Sequence, residues 1–294
     1  MSQIVITGSQ GFIGKHLVKY YQDLDQNVIS VDNLEGPITD KWLSSNGLFD
    51  SDYIIFHLAA RTREVDSDTN GFITFNANIK ATQNVLELCR VTNSRMVYLS
   101  SMIYDVQNGN SKFVEDDPVK PASIYLLSKY VSEELGQLYS NLHGVPVVVL
   151  RLFNVYGPGQ SNRFLIPHIL SQVATGSSIR LRNLYTKRDY VFIDDVVQAI
   201  HLSGQLDCKF TTINIGSGRA VAVNEIVETI QTIVETNLPI LDDNRIEPNE
   251  IITCVANIEK AHKTLMWSPK ISLLDGLKET CRSWDRELSK LESG

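Results

Sequence analysis

Residues 4–21, IVITGSQGFIGKHLVKYY, read as a buried strand, a glycine turn and a helix. The apolar run IVIT suits a strand, and HLVKYY then repeats apolar residues at helical spacing. Gly8, Gly11 and Gly14 divide the work in such a turn. The first permits the tight reversal, the second lets the backbone approach a pyrophosphate, and the third lets the helix pack close to the strand. Phosphate oxygens then meet free N–H groups at the positive end of the helix dipole.

A second apolar run, NVISVD, ends on Asp32, 18 residues beyond Gly14. A carboxylate there can accept two hydrogen bonds from an adenosine ribose and repels a 2′-phosphate, which favours NAD over NADP. Further apolar runs, YIIFHLAA, RMVYLSS, PVVVLRLF and TTINIG, alternate with amphipathic stretches such as NANIKATQNVLELCRV and SKYVSEELGQLYSNL. This alternation predicts an α/β fold, a doubly wound parallel sheet of Rossmann type covered by helices on both faces. After residue 155 the pattern loosens into a smaller, discontinuous cap. The expected division is 1–155 plus about 187–215 for the nucleotide-binding domain, and about 156–186 plus 216–294 for the cap. Helices are expected at 164–175, 223–236 and 273–290, and a short strand at 179–182.

At 294 residues, 43% hydrophobic and 21% charged, the composition is globular, and the net charge of −7 excludes nucleic acid as the main partner. Four scattered cysteines support neither a zinc site nor a disulfide framework. No metal and no membrane partner is expected, and the expected location is cytoplasmic.

Tyr125 and Lys129 stand four apart at the start of a helical pattern and so share a face. An ammonium beside a phenol stabilises its phenolate, which lets a tyrosine exchange protons with a hydroxyl. Ser100 and Ser101 end the strand RMVYLSS, at the sheet edge where ligands of open parallel sheets sit. His57, inside an apolar run, reads as a core histidine. Excess apolar residues on two helices, among them Val85, Leu88, Leu135 and Leu138, suggest a homodimer.

Taken in order, TGSQGFIG, Asp32, HLAA at 57–60, NIKAT at 78–82, LSS, YLLSK, RLFNVYGPGQ, RDYVFIDDVVQAI and NIGSG resemble the extended short-chain dehydrogenase/reductase family. The chain is most similar within it to the nucleotide-sugar epimerases and dehydratases, such as the UDP-glucose/galactose 4-epimerases. The resemblance implies NAD as cofactor and a nucleotide-diphosphate sugar as substrate. It places the catalytic group on Ser101, Tyr125 and Lys129. The cofactor contacts fall on Gly8, Gly11, Phe12, Ile13, Gly14, Asp32, Asn33, Leu58, Ala59, Ala60, Asn78, Ser100, Tyr125 and Lys129. Substrate contacts fall on Ser101, Asn154 and Arg188.

Counting along the strand gives Ser101 as the catalytic serine, whereas counting back from Tyr104 gives Ser100; strand alternation favours Ser101. Asn78 is expected to hold backbone near the cofactor. Family dehydratases carry acidic residues just after the catalytic hydroxyl, and Met102 and Ile103 stand here instead, which argues against 4,6-dehydration. The expected activity is a 4-epimerase working by transient oxidation at C4. The alternatives are a 4-keto-sugar reductase or a non-catalytic dinucleotide sensor. Only ~24 residues separate Asp32 from His57, which leaves little space for the usual third strand on the adenine side.

Overall fold

A computed structural model of the chain describes residues 3–31, 45, 48, 52–62, 67–105, 111–242 and 253–292. Six strands, β1 (Gln3–Thr7), β2 (Val28–Ser30), β3 (Tyr53–His57), β4 (Arg95–Ser101), β5 (Val147–Leu152) and β6 (Phe210–Ile215), form the main sheet. Their spatial order is β6-β5-β4-β3-β1-β2, and every pairing is parallel. This is the Rossmann-type arrangement expected from the alternating pattern. Among the described residues the sheet ends at β2.

Among the described residues four long helices cover the sheet: α1 (Phe12–Asp23), α2 (Ser67–Thr92), α3 (Ile124–His143) and α4 (Ile193–Gly204). Strand alternation sorts the core into two layers. Ile4, Ile6, Phe56, Val97, Leu99 and Leu150 pack with Leu17 of α1 and Val196 and Ile200 of α4. On the other face Val5, Ile55, Met96, Tyr98 and Val149 pack with Val85, Leu86, Leu88 and Cys89 of α2. Each fully buried aliphatic side chain contributes about 1.5–3 kcal/mol through removal from water. Val85 and Leu88 are therefore sheet-facing core residues and not surplus surface for a partner, because α2 packs on the sheet through the face that carries them. Leu135 is half-buried against the same layer, and Leu138 is exposed.

The helix Leu165–Thr175 stops where Gly176 turns left-handed at φ 81°. The helix Val223–Ile233 ends three residues earlier than its apolar pattern suggests, since Glu235 is left-handed at φ 55°. A short strand at Ile179–Leu181 and a final helix at Leu273–Glu292 complete the expected elements. Helix α4 and the short helix Glu259–Leu265 were not foreseen as helices.

Between these lie small pairings. Asn154–Tyr156 runs parallel to Tyr190–Phe192. Lys187–Arg188 pairs with both Val221–Ala222 and Thr253–Ala256. All four cysteines are free. Among the described residues no helix is long and apolar enough to cross a membrane.

Candidate active site

The glycine turn is built as its sequence requires. Gly8 is left-handed at φ 71°, and a side chain there would lie 2.7 Å from the Ala59 nitrogen. At Gly14 a Cβ would overlap the Gly8 carbonyl oxygen. Gly11 caps α1 without any side-chain hydrogen bond, and no acidic residue occupies the first turn. The first N–H groups of α1, at Phe12 and Ile13, are thus left without a side-chain acceptor, which suits an incoming phosphate. Asp32 and Asn33 lie outside the described residues.

The segment Leu58–Ala60 leaves β3 beside this turn. Leu58 N donates to Thr7 O at 3.2 Å and Ala59 N donates to Thr7 Oγ1 at 3.2 Å. Thr7 Oγ1 is also 2.8 Å from His57 Nδ1, and His57 Nε2 lies 3.2 Å from Thr82 Oγ1. His57 is thus a satisfied core histidine. Burial, with Lys129 adding a smaller push, lowers its pKa to about 3 and keeps it neutral. Asn78 fixes the same loop: its Oδ1 accepts from Arg61 N at 2.8 Å and its Nδ2 donates to Arg61 O at 3.2 Å. Asn78 thus holds the backbone at Arg61. Its amide reaches α3 as well, donating to Ser128 Oγ at 2.9 Å.

Helix α3 starts at a Ser123 cap whose hydroxyl accepts from Leu126 N at 3.2 Å. The cap sets the first two turns, and these bring Tyr125 and Lys129 over the end of β4. Lys129 is buried; its Nζ donates to Leu99 O at 2.7 Å and lies 4.8 Å from the Tyr98 ring centroid and 5.9 Å from that of Tyr125. Burial pulls its pKa down to about 7, against the opposing pull of the Glu133 carboxylate.

Alternation along β4 sends Met96 and Tyr98 toward α2 and α3 and sends Val97 and Leu99 to the opposite layer. Continued to the strand end, it places Ser100 on the Lys129 face and Ser101 on the other, in register with Leu152. Ser100 is buried and its hydroxyl has no hydrogen-bond partner, whereas Ser101 is half-buried. The next residue, Met102, receives the Cys254 thiol at 3.0 Å, so sulfur and not a carboxylate follows the serines.

Asn154 pairs with Tyr190, two residues beyond Arg188. Asn154 N and Nδ2 each donate to Asp189 O at 3.0 Å. Arg188 is half-buried and its Nη1 donates to Lys187 O at 3.1 Å.

Two buried groups near the site were not singled out from the sequence. Arg151 grips Glu133 through Nε and Nη2, the closest contact being 2.7 Å. A charge inside the apolar run PVVVLRLF and a Glu one turn beyond Lys129 were the available signals. Asp189 is the other. Nothing in its local sequence marks it as more than a neighbour of Arg188. Among the described residues no group of three or more His, Cys, Asp or Glu is placed to hold a metal ion.

The residues present fit a bound dinucleotide: a cradle that side chains would fill, an uncapped helix start, an orphaned Ser100 hydroxyl and a buried lysine. Comparison with known proteins agrees. Residues 4–216 match the NAD dependent epimerase/dehydratase family, and the chain belongs to that family. A putative UDP-glucose 4-epimerase of Methanocaldococcus jannaschii is 30% identical over 94% of this chain and 96% of its own. A UDP-glucose 4-epimerase of Thermotoga maritima, solved with UDP-glucose, superposes with a TM-score of 0.84 at 26% identity, covering 97% of this chain and 99% of that one. MoeE5, solved with UDP-glucose and NAD, gives 0.85 at 26% identity, with coverage of 98% and 100%.

Proposed function

We propose that this protein is an NAD-dependent nucleotide-sugar 4-epimerase. The observation that carries the reading is the placement of Tyr125 beside the buried Lys129 at the C-terminal end of β4, next to two serines. Family membership and the UDP-sugars held by solved relatives support a UDP-linked substrate. NAD, held by the glycine turn, the Leu58–Ala60 segment and Lys129, would supply a reversible hydride acceptor for C4 of the sugar, so that hydride could return to either face of the ring. Tyr125 removes the proton of the 4-hydroxyl and later gives it back, and the Lys129 ammonium favours its phenolate.

Strand alternation carries Ser101, the serine expected from the sequence, away from the Lys129 face, so Ser100, with its orphaned hydroxyl on that face, bonds the reacting oxygen and orients it. Ser100, on the Lys129 face, meets the cofactor together with Lys129, Asn78, the Leu58–Ala60 segment and the glycine turn. Asp32 and Asn33 complete the cofactor set on the adenine side. Asn154 and Arg188 grip the diphosphate, by amide donation and by a guanidinium fork. The sugar lies under a cap drawn from about 156–186 and 216–294. Met102, packed on Cys254, leaves no acid after the serines to drive dehydration. The enzyme works as a homodimer in the cytoplasm, where four free cysteines stay reduced.

The test is a pair of measurements on the purified protein. Denaturation should release NAD, and Tyr125→Phe should keep NAD while lowering turnover by a factor on the order of 10²–10⁴. An empty cofactor site with a preference for NADPH would instead favour the 4-keto-sugar reductase.

A further inference from the structure

Asp189 is fully buried, yet among the described residues no lysine or arginine forms an ion pair with it. Its carboxylate is met by hydrogen-bond donors. Oδ1 accepts from Ser217 N and Ser217 Oγ at 2.6 Å each, and Oδ2 accepts from Gly218 N at 2.9 Å and Ala256 N at 3.0 Å. A buried carboxylate costs several kcal/mol unless its lone pairs are met, and an apolar side chain would spare that cost. What the carboxylate adds is geometry. It ties its own segment to the turn that follows β6 and to the strand Thr253–Ala256.

The main-chain carbonyl of the same residue accepts both Asn154 donors, N and Nδ2, at 3.0 Å. One position earlier, Arg188 pairs with Val221 on one side and Cys254 on the other. Asn154, Arg188 and the 217–218 turn therefore share a single anchor. We propose that Asp189 is a positioning residue, holding Asn154 and Arg188 in the mutual placement that grips the diphosphate of a nucleotide sugar. The proposal rests on the substrate roles assigned above. Binding groups must be held to within roughly 0.5 Å of a productive geometry, and an exposed Asn154 amide needs such a support.

The test uses Asp189→Asn in the full chain. An amide nitrogen replaces one oxygen and faces N–H donors on either side, so at least one contact becomes a clash of donors. Calorimetric titration with UDP and, separately, with NAD reads the result. UDP affinity should fall by at least about tenfold, the loss expected for a charge-assisted hydrogen bond. NAD affinity should stay within about twofold, and KM should rise while kcat holds. An unchanged UDP affinity, or equal losses for UDP and NAD, would overturn the proposal.

If Asp189→Asn does not fold, Ser217→Ala removes one donor and leaves the other three. It should weaken UDP selectively by a smaller factor, and an unchanged UDP affinity would again overturn the proposal. Asn154→Ala and Arg188→Ala separate the two levels. If both leave UDP binding intact, the substrate assignment falls and the proposal with it. If they weaken UDP while Asp189→Asn does not, only the positioning role fails.

Discussion

Arg151 and Glu133 form a buried, forked ion pair, closed to 2.7 Å, that joins β5 to α3 one helical turn beyond Lys129. The guanidinium also donates to Glu115 O at 2.9 Å and lies 4.9 Å from the Tyr104 ring centroid. It thus braces the catalytic helix against the segment that follows the two serines. Removing one partner leaves an uncompensated buried charge. Arg151→Met should destabilise the fold by about 3–5 kcal/mol, and the double variant with Glu133→Leu should recover much of that loss. Denaturant midpoints measure both; a double variant as unstable as the single one would contradict this account of the pair.

Lys129 should lose its proton near pH 7 in the unliganded protein, read from the pH dependence of its ¹³Cε shift. Burial sets that value and Glu133 opposes it, so Glu133→Gln should move the midpoint lower. The sign for stability follows. Between pH about 7 and 10.5 the unfolded chain holds a proton at Lys129 that the folded chain has released. Stability from this group therefore rises with pH across that window, and Lys129→Met should remove the rise. A midpoint near 10 would mean that Lys129 is hydrated and not enclosed.

The two serines should separate in their kinetics. Ser100→Ala should lower kcat by a factor on the order of 10², because its hydroxyl lies on the Lys129 face. Ser101→Ala should lower kcat by less than about tenfold, the worth of one hydrogen bond. Reversed effects would exchange their roles and make Ser101 the group on the reacting oxygen.

The proposed dimer has a different surface from the one the apolar pattern of α2 suggested. Phe72, Ile73, Ile124, Leu127, Leu138 and Leu142 are exposed on α2 and α3, and Phe72 is 70% exposed. Light scattering at micromolar concentration should report a dimer, and Leu127→Glu with Leu138→Glu should give a monomer. A parent protein that is monomeric would reject the interface.

All six strands of the main sheet were legible as apolar runs: the inner strands are buried on both faces and carry little polar punctuation, and the edge strands β2 and β6, though partly exposed, keep enough of the pattern. Smaller pieces were not. Lys187–Arg188 and Val221–Ala222 are two-residue strands defined by their partners and have no period of their own. Helix α4 begins at Ile193 directly after the strand Tyr190–Phe192, so no turn residue separates the strand period from the helical one. Val85 and Leu88 were misassigned because α2 buries one face on the sheet and packs beside α3, so apolar residues alone do not say which contact they serve. The site was readable where chemistry has a local signature, as in the glycine turn and the Tyr125–Lys129 spacing. Asp189 acts through residues distant in sequence, and no local pattern announces it, whereas Arg151 shows only as a charge inside an apolar run.

The central claim is a reversible oxidation at C4 that consumes no cofactor. The direct measurement is incubation of the purified protein, with NAD, against a panel of UDP-sugars deuterated at C4, followed by NMR of the products and absorbance at the NADH wavelength. The account predicts that at least one sugar is converted to its C4 epimer with the deuterium retained at C4 and no NADH accumulating. NADH rising in proportion to product, or no turnover of any sugar in the panel, would contradict it.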